Sequence, residues 1–201
     1  MKNILRIDSS LFSEKGVSNA LMDHLVEKLK DKYKLNQLVT RDLVEDAIPH
    51  LDATWIQALM MDEDTRTNEQ KEKVAYSDGI IEEVEQADIL VLALPMYNFS
   101  VPSVVKAWFD HLARAGRTFK YTDAGPEGLL TGKKTYLVTT RGGVHRNKET
   151  DTLIPFALNF LRFVGLGDVE VIYAEGLNLS GDSRQKGIDE ARNNIQSLIA
   201  A

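Results

Sequence analysis

Apolar positions along the chain fall into two patterns. Short continuous runs occur at Ile4 to Ile7, in "ADILVLALP" (87–95), in "KTYLVTT" (134–140) and in "DVEVIYAEG" (168–176). Runs of this length and continuity fit strands buried on both faces of a parallel sheet. Lys34 to Thr40 fits a further strand. Between these runs, apolar residues recur at helical spacing. Leu21, Met22, Leu25, Val26 and Leu29 mark one such face. Val74, Ile81 and Val84 mark another, in a helix running to about residue 86 after the capping-box pattern "TNEQ" at 67–70. Val101, Val104, Val105, Trp108, Phe109 and Leu112 form the clearest face, with Pro102 where a first-turn proline is tolerated and Gly116 as a stop. A helix from about Thr152 carries Ala157, Phe160, Leu161 and Val164 and ends at Gly165; Ile188, Ala191, Ile195, Leu198 and Ile199 mark the last one.

Two stretches resist this reading. In residues 42–66, Asp52 could cap a short helix through Met61, with irregular chain around it. Residues 117–132, "RTFKYTDAGPEGLLTG", form an excursion containing glycine and proline. The rest is five strands alternating with five helices in one domain spanning residues 1–201, which implies an α/β doubly wound parallel sheet with helices on both faces. Such sheets bind ligands beyond the carboxyl ends of their strands, near the point where strand order reverses. The informative residues should therefore follow strands one, three and four.

Composition narrows the partners. A net charge of −6 argues against nucleic acid, whose phosphates need a basic surface. The absence of cysteine removes disulfides, thiolate nucleophiles and iron–sulfur ligation. His24, His50, His111 and His145 show no metal-ligand spacing, so no metal is expected. No apolar run approaches a membrane span and no signal-peptide pattern opens the chain, so a cytoplasmic protein with no membrane partner is expected.

After strand one come Ser9, Ser10, Ser13, Gly16 and Ser18, just before a helix. Hydroxyls and free amides at a helix start suit a phosphate; equally, Ser18 could merely cap the helix while the other serines fill a polar loop. There is no GxGxxG and no GxxxxGK[ST], which argues against a dinucleotide loop and a P-loop. After strand three come Met96, Tyr97, Asn98 and Phe99, an amide and aromatic rings where a connector would be small and polar. After strand four comes "TTRGGVHR", whose paired glycines permit close backbone approach or positive φ; Arg141 could be a surface charge and His145 a solvated loop residue. Together the loops suit a mononucleotide with a planar heterocycle, and FMN fits best.

The stretch "PMYNFSVPSVVKAWFDHLARAGRTFKYTDAGPEGLLTGKKTYLVTTRGG" (95–143), with "SS" after strand one and "YAEG" after strand five, resembles the FMN-dependent NADH-azoreductases, also described as quinone reductases, of the flavodoxin-like fold. The resemblance covers essentially the whole chain. It implies strand order 2-1-3-4-5, a homodimer with one FMN per subunit near the interface, and NADH or NADPH as donor to a quinone or azo acceptor. It also implies FMN contacts from Ser10, Gly16, Val17 and Ser18 to the phosphate, and from Met96, Tyr97, Asn98, Phe99, Thr140, Arg141, Gly142 and Gly143 around the ring. The family often has a hydroxyl residue at the position matching Gly16, and here only the backbone amide remains.

The flavin N5 would carry the chemistry in a two-electron ping-pong exchange, with no catalytic side chain required. Amides near Gly142 and Gly143 could stabilise the reduced ring, and His145 could add a donor there. Tyr121 and Phe119 could stack on substrate over the flavin, their own or the partner subunit's, or belong to a hairpin closing over its own core; Phe163 is a candidate wall of the substrate pocket or a core residue. Trp55, Met60 and Met61 read as a dimer surface or pocket rim. Two rivals remain. A flavodoxin-type electron carrier shares fold and FMN but needs no nicotinamide pocket. A phosphoacceptor signalling module needs an acidic cluster after strand one and a lysine after strand five, whereas Asp8 has no acidic neighbour in its turn and strand five ends in Glu175.

Overall fold

A computed structural model describes residues 1–12 and 16–200. The strands of the main sheet are β1 (Lys2–Asp8), β2 (Leu35–Asp42), β3 (Ile89–Ala93), β6 (Lys134–Thr140) and β7 (Asp168–Ala174), all parallel in the order β2-β1-β3-β6-β7. This is the expected 2-1-3-4-5 order, with a two-stranded antiparallel hairpin, β4 (Phe119–Thr122) and β5 (Gly125–Gly128), interposed in the excursion. The α-helices are α1 (Val17–Lys32), α2 (Ala53–Met60), α3 (Asn68–Gln86), α4 (Ser103–Leu112), α5 (Leu153–Val164) and α6 (Ser183–Ala200). The described residues thus hold six α-helices rather than the five that alternate with the strands, the sixth being the short helix foreseen after Asp52.

Every residue of β3 is buried, and the alternation along it assigns two cores. Ile89, Val91 and Ala93 face α1 and α6 with Leu21, Met22, Leu25, Ala191 and Ile195. Leu90 and Leu92 face the other layer, where Ile81 of α3, Trp108 and Phe109 of α4 and Leu161 of α5 meet. Each face of the sheet therefore buries one set of helix stripes, as a continuous apolar strand requires. Removing these aliphatic side chains from water is the main favourable contribution, about 1.5–3 kcal/mol for each one fully buried.

Local signals hold where they are strong. Asp52 caps α2, accepting from the amides of Thr54 (2.8 Å) and Trp55 (3.0 Å). Thr67 and Gln70 form the reciprocal capping box of α3. Gly165, with φ of 101°, closes α5 in the left-handed region. Both ends of α4 differ from expectation. Pro102 is the N-cap of α4 rather than a first-turn residue, and α4 ends at Leu112 with Ala113 as its C-cap. Gly116, with φ of 78°, instead shapes the turn into the hairpin, donating its amide to the Phe119 carbonyl at 2.8 Å.

Candidate functional site

The carboxyl ends of β1, β3, β6 and β7 open on one cleft of about 510 Å³, within the range of small-ligand pockets. Ser10, Phe12, Gly16, Val17 and Ser18 form its first wall. Gly16 is the N-cap of α1, in extended backbone and without a side-chain cap bond. Ser18 therefore does not cap the helix. It is 2% exposed, lines the cleft, and its hydroxyl bonds to no described residue. A hydroxyl that opens on the cleft with no partner among the described residues, at a helix start whose first amides have no intrahelical acceptor, is a ready anion site. Ser10 is buried beside it and accepts weakly from the Phe12 amide at 3.4 Å. Ser9 is turned inward, donating to the Ala93 carbonyl at 2.7 Å. Ser13 lies outside the described residues.

Pro95, Met96 and Tyr97 form the second wall. The chain there stays tied to β6, with the Met96 amide donating to the Thr140 carbonyl at 2.9 Å. It then makes a two-residue turn in which Tyr97 and Ser100 exchange backbone hydrogen bonds of 3.1 and 3.0 Å. The central residues, Asn98 and Phe99, both have positive φ, 50° and 64°. That geometry belongs to a type I′ turn, which favours Gly, Asn or Asp; a phenylalanine there is strained by about 1–2 kcal/mol. The strain is held in place from two sides. The Tyr97 hydroxyl accepts from the Leu11 amide (3.3 Å), and the Thr152 hydroxyl donates to the Phe99 carbonyl.

Thr140, Arg141 and Gly142 form the third wall. The carbonyls of Arg141, Gly142 and Gly143 accept from the amides of Leu177, Asn178 and Gly176, at 3.1, 3.0 and 2.9 Å. The amides of Gly142 and Gly143 meet no acceptor among the described residues, which leaves two donors for a ligand. Neither glycine adopts positive φ. A Cβ at Gly142 would meet Asn178 Nδ2 at 2.6 Å, and one at Gly143 would meet His145 Nε2 at 2.7 Å, so a larger residue at either position would first have to turn aside the end of a neighbouring side chain.

Arg141 is not a surface charge. Its side chain is fully buried and pairs with Asp151 (2.8 Å) and Glu175 (3.2 Å). The Tyr173 ring lies between Arg141 and Arg146, 5.1 and 4.5 Å from the two guanidinium carbons. Arg141 therefore offers a ligand no free charge, and its amide is engaged as well, donating to the Ala174 carbonyl at 2.9 Å. Glu175 Oε1 also accepts from the amides of His145 (2.7 Å) and Arg146 (2.9 Å), which folds the loop after β6 back onto the end of β7. His145 is half-buried rather than solvated; its Nδ1 lies 2.9 Å from Thr150 Oγ1 and its ring meets Phe99 edge-on at 5.7 Å. Asn98, Phe99, Gly143 and His145 adjoin the cleft without forming its walls.

Other expected residues separate. Phe119 is buried and Phe163 half-buried, their rings 4.2 Å apart, and neither lines the cleft. Tyr121, in contrast, is 75% exposed at the hairpin. Trp55 is half-buried, edge-on to Tyr76 (5.7 Å) and His111 (4.7 Å). Met60 is exposed, while Met61 is half-buried against Gln70.

A fourth wall comes from the loop after β7: Leu177, Asn178 and Arg184. This wall, like Phe12, lies outside the residues expected from strands one, three and four. The signal was available, since every parallel strand delivers its carboxyl end to the same edge. Asp8 at the end of β1 is buried against Arg6 (2.8 Å), and burial pushes its carboxyl up from the usual range against the opposing pull of that arginine.

A five-stranded doubly wound sheet with a ligand-sized cleft at its order reversal defines a flavodoxin-like protein, and residues 2–199 match the family model described as flavodoxin-like fold. The chain belongs to that family. Among its relatives it is 49% identical to the FMN-dependent NADH:quinone oxidoreductase of Saccharophagus degradans, across 99% of this chain and 94% of that one. It is 46% identical to the protein of the same name from Cellvibrio japonicus, over the full length of both. Among solved structures, the azoreductase AzrA superposes with a TM-score of 0.89 at 26% identity, covering 98% of this chain and 99% of that one.

Proposed function

We propose that the protein is an FMN-dependent oxidoreductase that takes electrons from NADH or NADPH and reduces quinones and azo compounds. The observation that carries this is the pairing of the Ser18 hydroxyl at the start of α1, without a partner among the described residues, with the free amide of Gly142 across the same cleft and that of Gly143 beside it. The first fits a phosphate and the second the polar edge of a flat ring, and the full-length relatives bear the matching name. Ser10, Ser18 and the amides of Gly16 and Val17 would hold the phosphate, Gly16 giving only its backbone. Met96, Tyr97, Asn98 and Phe99 would line the ring, Thr140 and the 141–143 backbone would border it, and His145 would stand at its edge.

FMN, when bound, would supply two-electron transfer at N5, with donor and acceptor using the same face in turn. The residues of this chain position the ring, keep its polar edge among amides, and shield it with Met96 and Tyr97. The exposed Ile56, Met60 and Tyr121 support a homodimer in which the hairpin reaches toward the partner's cleft, with Phe119 and Phe163 seating the hairpin on α5. No helix among the described residues is long and apolar enough to cross a membrane, and we place the protein in the cytoplasm.

Steady-state oxidation of NADH and NADPH by the yellow protein, against a quinone and an azo dye, tests the reading. Parallel double-reciprocal lines are expected. A flavin-loaded protein that oxidises neither nicotinamide would instead be an electron carrier.

A further inference from the structure

Two cationic side chains line the cleft, and only one is available to a ligand. Arg141 is neutralised by Asp151 and Glu175. Arg184 has no carboxylate partner among the described residues. The one hydrogen bond it makes with them, from Nη1 to the Leu177 carbonyl at 3.3 Å, leaves most of its donors free. Its position on the chain is unfavourable in itself. It stands in the first turn of α6, which holds no acidic residue, so its charge sits at the positive end of the helix dipole. An anion in the cleft would reverse that penalty.

Topology says which end of the cleft it serves. α1 and α6 pack side by side on one face of the sheet and share a core. Both begin at the cleft, so Arg184 and the unpartnered Ser18 hydroxyl belong to the same side. The ring-lining turn at Met96 precedes α4, on the opposite face. At the start of α1 the chain offers Ser10, Ser18 and backbone amides, with no cation among the described residues there and no side chain at Gly16.

We propose that Arg184 reads the terminal phosphate of the mononucleotide, pairing its guanidinium with the anion held at the start of α1. This rests on the flavin reading above. A planar fork of N–H donors suits phosphate oxygens, and the pair is charge-assisted.

Riboflavin, which lacks the phosphate, separates this role from any other. The full-length apoprotein is titrated with FMN and with riboflavin by fluorescence quenching, as wild type, Arg184→Gln and Ser18→Ala. Arg184→Gln is expected to weaken FMN about tenfold, after allowing for solvent screening at the rim, and to leave riboflavin within about twofold. The difference should shrink at high salt. Equal losses for both flavins, or no loss for either, overturn the proposal. So does a change confined to the KM for NADH or NADPH, which would assign Arg184 to the donor. Ser18→Ala tests the underlying reading: it should also discriminate against FMN. If it does and Arg184→Gln does not, only the arginine's role fails; if neither flavin binds the wild type, the flavin reading fails and the proposal with it.

Discussion

Truncating Glu175 to alanine tests how the loop after β6 is built. Three donors converge on Glu175 Oε1: the Arg141 guanidinium at 3.2 Å, the His145 amide at 2.7 Å and the Arg146 amide at 2.9 Å. The carboxylate side chain is only 14% exposed and Arg141 is completely buried. Removing one partner of a buried pair typically costs about 3–5 kcal/mol, because the remaining charge is stranded. Here Asp151 stays beside Arg141 at 2.8 Å, and water can reach the exposed Arg146 amide, so the lower end applies. The expected loss is about 3 kcal/mol, which for a chain of this size lowers Tm by about 6–12 °C.

Glu175→Gln keeps an acceptor oxygen and should lose about half as much. The Glu175→Ala, Arg141→Met double variant should lose clearly less than the sum of the two single changes, since Glu175 is no longer stranded when Arg141 goes and only Asp151 then lacks its partner. Urea unfolding with free-energy extrapolation measures wild type and the four variants, Arg141→Met included. Because the same carboxylate folds Gly142 and Gly143 onto the end of β7, Glu175→Ala should also weaken FMN binding. A Glu175→Ala protein within about 0.5 kcal/mol of wild type would refute the account.

Further expectations follow from single sites. Gly16→Ser keeps an extended N-cap, with φ of −75°, so it should add a few tenths of a kcal/mol through capping and tighten FMN severalfold in a fluorescence titration. Thr135→Val removes a fully buried hydroxyl without a hydrogen-bond partner and should raise stability by about 1 kcal/mol, read as a higher urea midpoint. Phe99→Gly relieves positive φ at 64° while losing an exposed ring, so stability should hold or rise although flavin affinity falls. His111 donates from Nε2 to the Pro49 carbonyl (2.8 Å) and accepts at Nδ1 from Ser77 (2.6 Å), and burial lowers its pKa from the usual 6.5 against the pull of Pro49 and Asp110. The unfolded chain therefore binds the proton first as pH falls, so the stability His111 provides is present above 6.5 and is lost as pH drops through the folded value. Urea midpoints should fall from about pH 7 to about pH 5 in wild type and fall less in His111→Gln; equal slopes would remove His111 from the account.

The main sheet and its helices were legible because each carries its own period. A strand buried on both faces has no polar positions to disguise it, and α4 or α5 shows its stripe within three turns. The hairpin was legible only as one of two alternatives, for the opposite reason. "GPEG" has little intrinsic preference for a strand, and β5 exists because it pairs with β4 and rests on the end of α5. The contact is so close that a Cβ at Gly128 would lie 2.1 Å from the Gly165 amide nitrogen. That seat buries Phe119 and turns Tyr121 outward, a division that two aromatic residues two positions apart announce only once the strand is known.

The candidate site divides in the same way. Ser18, Met96 to Tyr97 and the paired glycines are legible, because position after a parallel strand already places them at one edge. Arg141 is not, since the carboxylates that bury its charge lie 10 and 34 positions away. A lone arginine in a loop has no local signature of burial; only the fold brings Asp151 and Glu175 to it. The positive φ of Asn98 and Phe99 is equally invisible, since nothing local demands it. It is imposed by the Tyr97–Ser100 bridge and by Thr152 at the start of α5. The strained turn is therefore a product of three elements meeting, β3, β6 and α5, and it lies where the flavin ring would rest. Backbone strain kept at a ligand edge by long-range contacts is what a preorganised cradle requires, because the turn then needs no rearrangement when the ring arrives.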